Sequence, residues 1–160
     1  MPGVRPTFRG AQRSGMVLMM KGKFAIAINC IDGRVQTPVL DWIKLHLNVD
    51  YVDLITEPGP DGALTRSTDL RGRIFEKVCF SIRVHNPIAI AIAGHWDCIA
   101  NPVAMEEHLD QIREGVRIIE TWRLGRRAVG LWVNEWGYVD LISDTEESRE
   151  VISYYNQKNN

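Results

Sequence analysis

Six consecutive residues, Ile88-Ala-Ile-Ala-Ile-Ala93, carry no polar side chain. Successive side chains of a strand point to opposite faces, so a strand with one wet face alternates apolar and polar residues. A run that does not alternate must be covered on both faces, which is the condition of strands in parallel sheets flanked by helices. This segment alone points to an α/β architecture. Phe24-Ala-Ile-Ala-Ile-Asn29 has nearly the same composition and the same length.

The remaining elements fit between and after these runs. Val39, Leu40, Ile43 and Leu47 fall at helical spacing, which predicts a helix over 37–47 with Thr37 as N-cap and Pro38 in its first turn. Tyr51–Thr56 reads as a second strand. It ends in Glu57-Pro-Gly-Pro-Asp-Gly62, expected as a loop because proline and glycine interrupt it. Leu70, Ile74 and Val78 mark a helix from Leu70 to His85, closed by Asn86-Pro87. Residues 102–123 are expected as one or two helices with Gly115 as a weak point, and Ala128–Val133 as a fourth strand. Asn134-Glu-Trp-Gly137 leads from it into Tyr138–Ile142, a hairpin by loop length. Asp144 is expected to cap a terminal helix, with Glu146 and Glu147 in its first turn. The alternation predicts a doubly wound α/β fold: a mostly parallel central sheet of four strands plus an antiparallel edge strand, with helices on both faces. A chain of 160 residues matches one domain. Residues 21–155 are expected to form it, preceded by a flexible extension over 1–20 and followed by a frayed tail over 156–160.

Composition narrows the function classes. Nineteen basic against twenty acidic residues give a net charge of −1, so no global field advertises a nucleic acid or a membrane surface. The longest uncharged apolar stretch, Asn86–Trp96, is far short of the roughly 20 residues of a membrane span. Residues 1–20 carry Arg5, Arg9 and Arg13, and the apolar piece Met16–Met20 is too short for the hydrophobic region of a secretory signal. Three cysteines, an odd and low number, argue against a disulfide framework and for a cytoplasmic setting.

Chemistry concentrates directly after the two apolar runs, in Cys30-Ile-Asp-Gly-Arg34 and in His95-Trp-Asp-Cys98. In open α/β sheets, ligands bind outside the carboxyl ends of strands, where neighbouring crossovers leave on opposite faces. Two thiols and an imidazole converging there suit Zn²⁺. His95 and Cys98, three apart in a turn, can grip one ion while Cys30 reaches it from the adjacent strand. Three protein ligands leave a fourth tetrahedral position, the arrangement of a catalytic zinc.

These two segments resemble the paired Cys-x-Asp-x-Arg and His-x-x-Cys signatures of the β-class carbonic anhydrases, and the order of elements is similar from about residue 23 to residue 142. The resemblance implies one Zn²⁺ per chain held by Cys30, His95 and Cys98, with Asp32 and Arg34 paired beside the metal as catalytic residues. It implies reversible hydration of carbon dioxide to bicarbonate by a zinc-bound hydroxide, with Asp32 orienting the hydroxide and Arg34 holding Asp32 ionised. It also implies a homodimer or larger homo-oligomer. Two segments depart from the family pattern: Ile99-Ala100-Asn101 follows Cys98 in place of glycine and a small residue, and Thr56-Glu57-Pro58-Gly59-Pro60 replaces an Arg-Asn-Ala-Gly-like segment. Alternatives on the same scaffold are a hydrolase of carbonyl sulfide or carbon disulfide and a non-catalytic zinc-binding protein.

Other candidates read as structural. Cys79 is expected as a small apolar residue within a helix, and His46 and His108 as solvated helical residues. His85 stands at a helix end, where a cation is favourable. Trp96 is placed to wall a pocket, and Asp97 lies between two candidate ligands. The 57–62 segment lacks phosphate-loop spacing, which argues against nucleotide binding.

Overall fold

A computed structural model of the chain describes residues 21–146. The expected extension over 1–20, the tail over 156–160 and the terminal helix beyond Glu146 lie outside the described residues. β1 (Phe24–Asn29), β2 (Tyr51–Thr56), β3 (Ala89–His95), β4 (Arg127–Val133) and β5 (Val139–Asp144) form one sheet in the order β2-β1-β3-β4-β5. The first three pairings are parallel, and β5 runs antiparallel to β4 across a bulge at Gly130/Leu131. The sheet is the one expected from the two apolar runs.

The Ala-Ile alternation of β1 and β3 sorts residues by size. Ala25, Ala27, Ala89, Ala91 and Ala93 face α1 (Gly33–Leu47), whose Val35, Val39, Ile43 and Leu47 pack on them. Ile26, Ile28, Ile90 and Ile92 face the opposite layer. That layer holds Leu64 of α2 (Pro60–Arg66), Ile74 and Val78 of α3 (Thr68–His85), and Val116 and Ile119 of α4 (Met105–Thr121). Small residues therefore admit a single helix close to one face, and branched residues fill the wider gap under three helices. α1 leaves on one face and the other crossovers on the other, so the carboxyl ends of β1 and β3 sit at the switch in the sheet.

Three local expectations are corrected, and the choice between one helix and two over 102–123 resolves to one. α1 begins at Gly33, because the Asp32 side chain accepts from the Arg34 N–H and caps the helix; Thr37 is then interior and Pro38 stands one turn in. The 57–62 segment is partly helical: Gly59 takes a left-handed φ of 54° and Pro60 opens α2 at a position where its missing N–H costs nothing. Gly115 does not divide α4, whose single run packs that glycine against Ile92 and Leu64. Cys79 is half-buried on α3 and outside both apolar clusters.

Candidate metal centre

Cys30 leaves the end of β1, His95 ends β3, and Cys98 closes the turn that follows. All three are buried, and their donor atoms lie within 4.8 Å of one another. Tetrahedral Zn²⁺ with bonds of about 2.0–2.3 Å requires such spacing among its ligands. The turn depends on Asp97, which takes a φ of 55°, a left-handed conformation that aspartate tolerates better than most residues.

Histidine orientation is fixed from behind. Nδ1 of His95 donates to the carbonyl oxygen of Trp96 at 2.7 Å. The neutral ring therefore carries its lone pair on Nε2, and Nε2 is buried without a hydrogen bond to any described residue. An orphaned acceptor beside two thiols is costly unless something fills the position, and a metal ion satisfies it.

The two thiols differ in acidity. The Cys98 thiol holds Cys30 well below the usual thiol range; burial opposes this, while His95 and the backbone N–H groups of Asp32 and Gly59 reinforce it. Cys98 is pushed the other way by Cys30 and by burial, with the N–H groups of Asn101 and Ala100 pulling back. Cys30 is thus the more acidic thiol of the pair and Cys98 the less acidic. Asn29, itself buried, fastens the Cys30 turn by accepting from the Cys30 N–H at 2.9 Å.

Asp32 and Arg34 form the expected pair. Arg34 Nη2 donates to Asp32 Oδ2 at 2.6 Å, and Nε reaches both carboxylate oxygens at 3.1 Å. Arg34 holds the Asp32 carboxyl down to about 2, first through its side chain and then through its backbone N–H. Arg34 also faces Asp97 at 3.7 Å. A cleft of about 80 Å³ runs beside Arg34, His95 and Trp96, closed by Asn134, Glu135 and Gly137 of the β4–β5 turn. On the other side of Trp96 lies a cavity of about 450 Å³, lined by Cys98, Ile99, Val103, His108 and Trp132 among others.

The remaining histidines divide. His46 is exposed and stacks on Trp42, as expected. His85 pairs with Asp53 at 2.8 Å and stacks on Phe24. His108 is the correction: expected in solvent, it is only 2% exposed, with Nδ1 2.5 Å from Asp61 Oδ2. Its partner lies 47 residues away in a segment read as a loop, and no local pattern marks it.

Comparisons with known proteins bear on the family and the fold. A family model described as "Putative carbonic anhydrase" matches residues 20–143. A solved carbonic anhydrase from Glaciozyma antarctica superposes with a TM-score of 0.51 at 15% identity, covering 74% of this chain and 81% of that one. A β-carbonic anhydrase from Trichomonas vaginalis gives 0.49 at 17% identity, over 75% of this chain and 82% of its own. At such identity the first likeness bears on fold alone. A search of curated protein sequences finds no significant match.

Proposed function

The chain belongs to this carbonic anhydrase family, and from that premise we propose that it catalyses the reversible hydration of carbon dioxide with one zinc ion held by Cys30, His95 and Cys98. The observation that carries the reading is the cluster of three buried donors around an unpartnered His95 Nε2. The donor set fits zinc: two thiols of which one readily ionises, and an imidazole whose second nitrogen is already committed to Trp96. When bound there, zinc supplies Lewis acidity that brings a coordinated water to a pKa of about 7, a value taken from carbonic anhydrases with three histidine ligands.

The chain's own residues supply the rest. Asp32 is the acceptor at the mouth of the site, an ionised carboxylate that Arg34 aims by gripping both of its oxygens. Held so, it takes a hydrogen bond from the attacking water and turns that oxygen's lone pair toward the substrate carbon. Arg34 fixes the carboxylate and keeps it out of the ligand cluster, which among the described residues comprises Cys30, His95 and Cys98. The small cleft beside Arg34 and His95 suits a substrate of three atoms. Assembly belongs to the same proposal: Trp136 and Tyr138 stand 73% and 70% exposed on the β4–β5 turn, an apolar surface suited to a second copy.

Stopped-flow hydration of carbon dioxide by the zinc-loaded protein tests the reading, with carbonyl sulfide and carbon disulfide assayed in parallel. Faster turnover of either sulfur compound would replace the proposed substrate. Zinc without turnover of any of the three would leave a binding protein.

A further inference from the structure

The segments Thr56–Pro60 and Ile99–Asn101, both departures from the family pattern, pack against each other beside the candidate ligands. A Cβ on Gly59 would stand 2.8 Å from the Asn101 Cβ and 3.1 Å from the Ala100 carbonyl carbon. One on Gly62 would stand 2.5 Å from Arg66 Nη2 and 2.8 Å from Asn101 Oδ1. Glycine at both positions lets α2 close directly onto the turn after β3. Each side of this contact carries backbone N–H groups toward a thiol sulfur: Gly59 toward Cys30, and Ala100 and Asn101 toward Cys98.

Asn101 is the centre of the contact. It has no exposed surface, and both ends of its side chain are committed. Oδ1 accepts from Arg66 Nη2 at 2.6 Å, and Nδ2 donates to Gln111 Oε1 at 2.7 Å. Gln111 in turn donates to Glu107 Oε1 at 3.1 Å, and Arg66 Nη1 returns to that same oxygen at 3.8 Å. Four side chains from α2, the turn and α4 therefore form a closed ring. The Asn101 backbone is engaged as well: its N–H donates to the Cys98 carbonyl at 3.1 Å, and its carbonyl accepts from the Val103 N–H at 2.9 Å. A buried network whose members are all satisfied holds one geometry. None of the four is a candidate ligand.

We propose that Asn101, clasped by Arg66 and Gln111, is a positioning residue of the metal centre. It holds the turn closed on Cys98 and the α2 entry closed on Cys30, so that both sulfurs keep their N–H neighbours and release of a bound zinc ion is slowed. The inference deepens the zinc reading above and rests on it. Groups that orient the ligands and bond them from outside govern how firmly an ion is held. Arg66 and Gln111 act through Asn101, and the role is geometric: no bond forms or breaks and no proton moves.

Zinc release to excess chelator, followed from the loaded full-length protein, tests this. Arg66→Ala opens the clasp from its half-exposed end, and Asn101→Ala removes its centre. Both should release zinc about ten-fold or more faster than wild type. Arg66→Lys, which keeps a donor for Asn101 Oδ1, should recover part of the loss. Ile74→Ala, at a buried position of α3 outside the ring, lowers stability without touching the clasp and should release zinc at the wild-type rate. The protein loaded with Co²⁺ gives a second readout: its thiolate-to-metal absorption band should shift in Arg66→Ala and Asn101→Ala and stay in place in Ile74→Ala. A wild-type release rate and an unmoved band in Arg66→Ala overturn the inference alone, as does equal acceleration in Ile74→Ala. A wild type that binds no zinc overturns the reading it rests on, and the inference with it.

Discussion

The Nδ1 of His95 donates a 2.7 Å hydrogen bond to the carbonyl oxygen of Trp96, its own neighbour in the chain. That contact decides which ring nitrogen is free, and the free one, Nε2, meets the sulfurs of Cys30 and Cys98 without a hydrogen bond to any described residue. The purified protein should accordingly carry about one zinc per chain. Cys98→Ser should lose most of it, because a hydroxyl is a far weaker ligand than a thiolate. Elemental analysis checks this; full occupancy in the Cys30→Ser, Cys98→Ser double variant would reject the assignment.

Zinc affinity should depend on pH with a defined sign. Cys30 is held low and Cys98 high, so the metal-free pair keeps one proton that binding must displace. Affinity then rises with pH, and falls by about ten-fold or more for each unit as pH drops from about 8 to about 6. The added steepness comes from His95: pulled down by burial but raised on balance by Cys30 and the Trp96 carbonyl, it takes up a second proton that zinc must displace. Asp32, at about 2, stays ionised throughout and adds nothing to this slope. Chelator competition measures it, and an affinity flat over the interval would contradict the shared-proton arrangement.

Arg34→Ala should retain zinc yet lose about ten-fold to a hundred-fold in activity, since Asp32 is then ionised but no longer aimed. Arg34→Lys should recover only part, because an ammonium cannot reproduce the two-pronged grip. Carboxyl ¹³C titration of metal-free Arg34→Ala should place Asp32 above its wild-type midpoint. Unchanged turnover together with an unchanged midpoint would reduce the pair to a surface contact.

Stability should respond at two places for different reasons. Ile92→Ala empties the face that three helices cover and should cost about 2–5 kcal/mol, read by urea unfolding. Gly59→Ala places a Cβ at a φ of 54°, 2.8 Å from the Asn101 Cβ, and should cost about 1–2 kcal/mol from the backbone alone. Because the Gly59 N–H points at the Cys30 sulfur, zinc affinity should fall as well. A Gly59→Ala protein with wild-type stability and affinity would show that the α2 entry tolerates the side chain.

What could be read from the chain was whatever depends on near neighbours. Ile88–Ala93 and Phe24–Asn29 declared a sheet buried on both faces, and the residues directly after each converge because parallel strands bring their carboxyl ends together. The start of α1 was hidden because Asp32 is both its cap and the partner of Arg34. α2 was hidden by prolines that suit its first turn, and the burial of His108 by a partner far away in sequence. Asn29, which fastens the Cys30 turn, looked like the end of a strand; its role exists only once that turn has formed.

The central claim meets its most direct test in stopped-flow carbon dioxide hydration by zinc-loaded wild type in an indicator buffer, with Cys98→Ser as control. The account predicts zinc-dependent turnover that rises with pH from about 7 to about 9, as a zinc-coordinated water would ionise, and is absent from the control. Wild-type protein that binds one zinc per chain and hydrates no carbon dioxide anywhere in that range would contradict it.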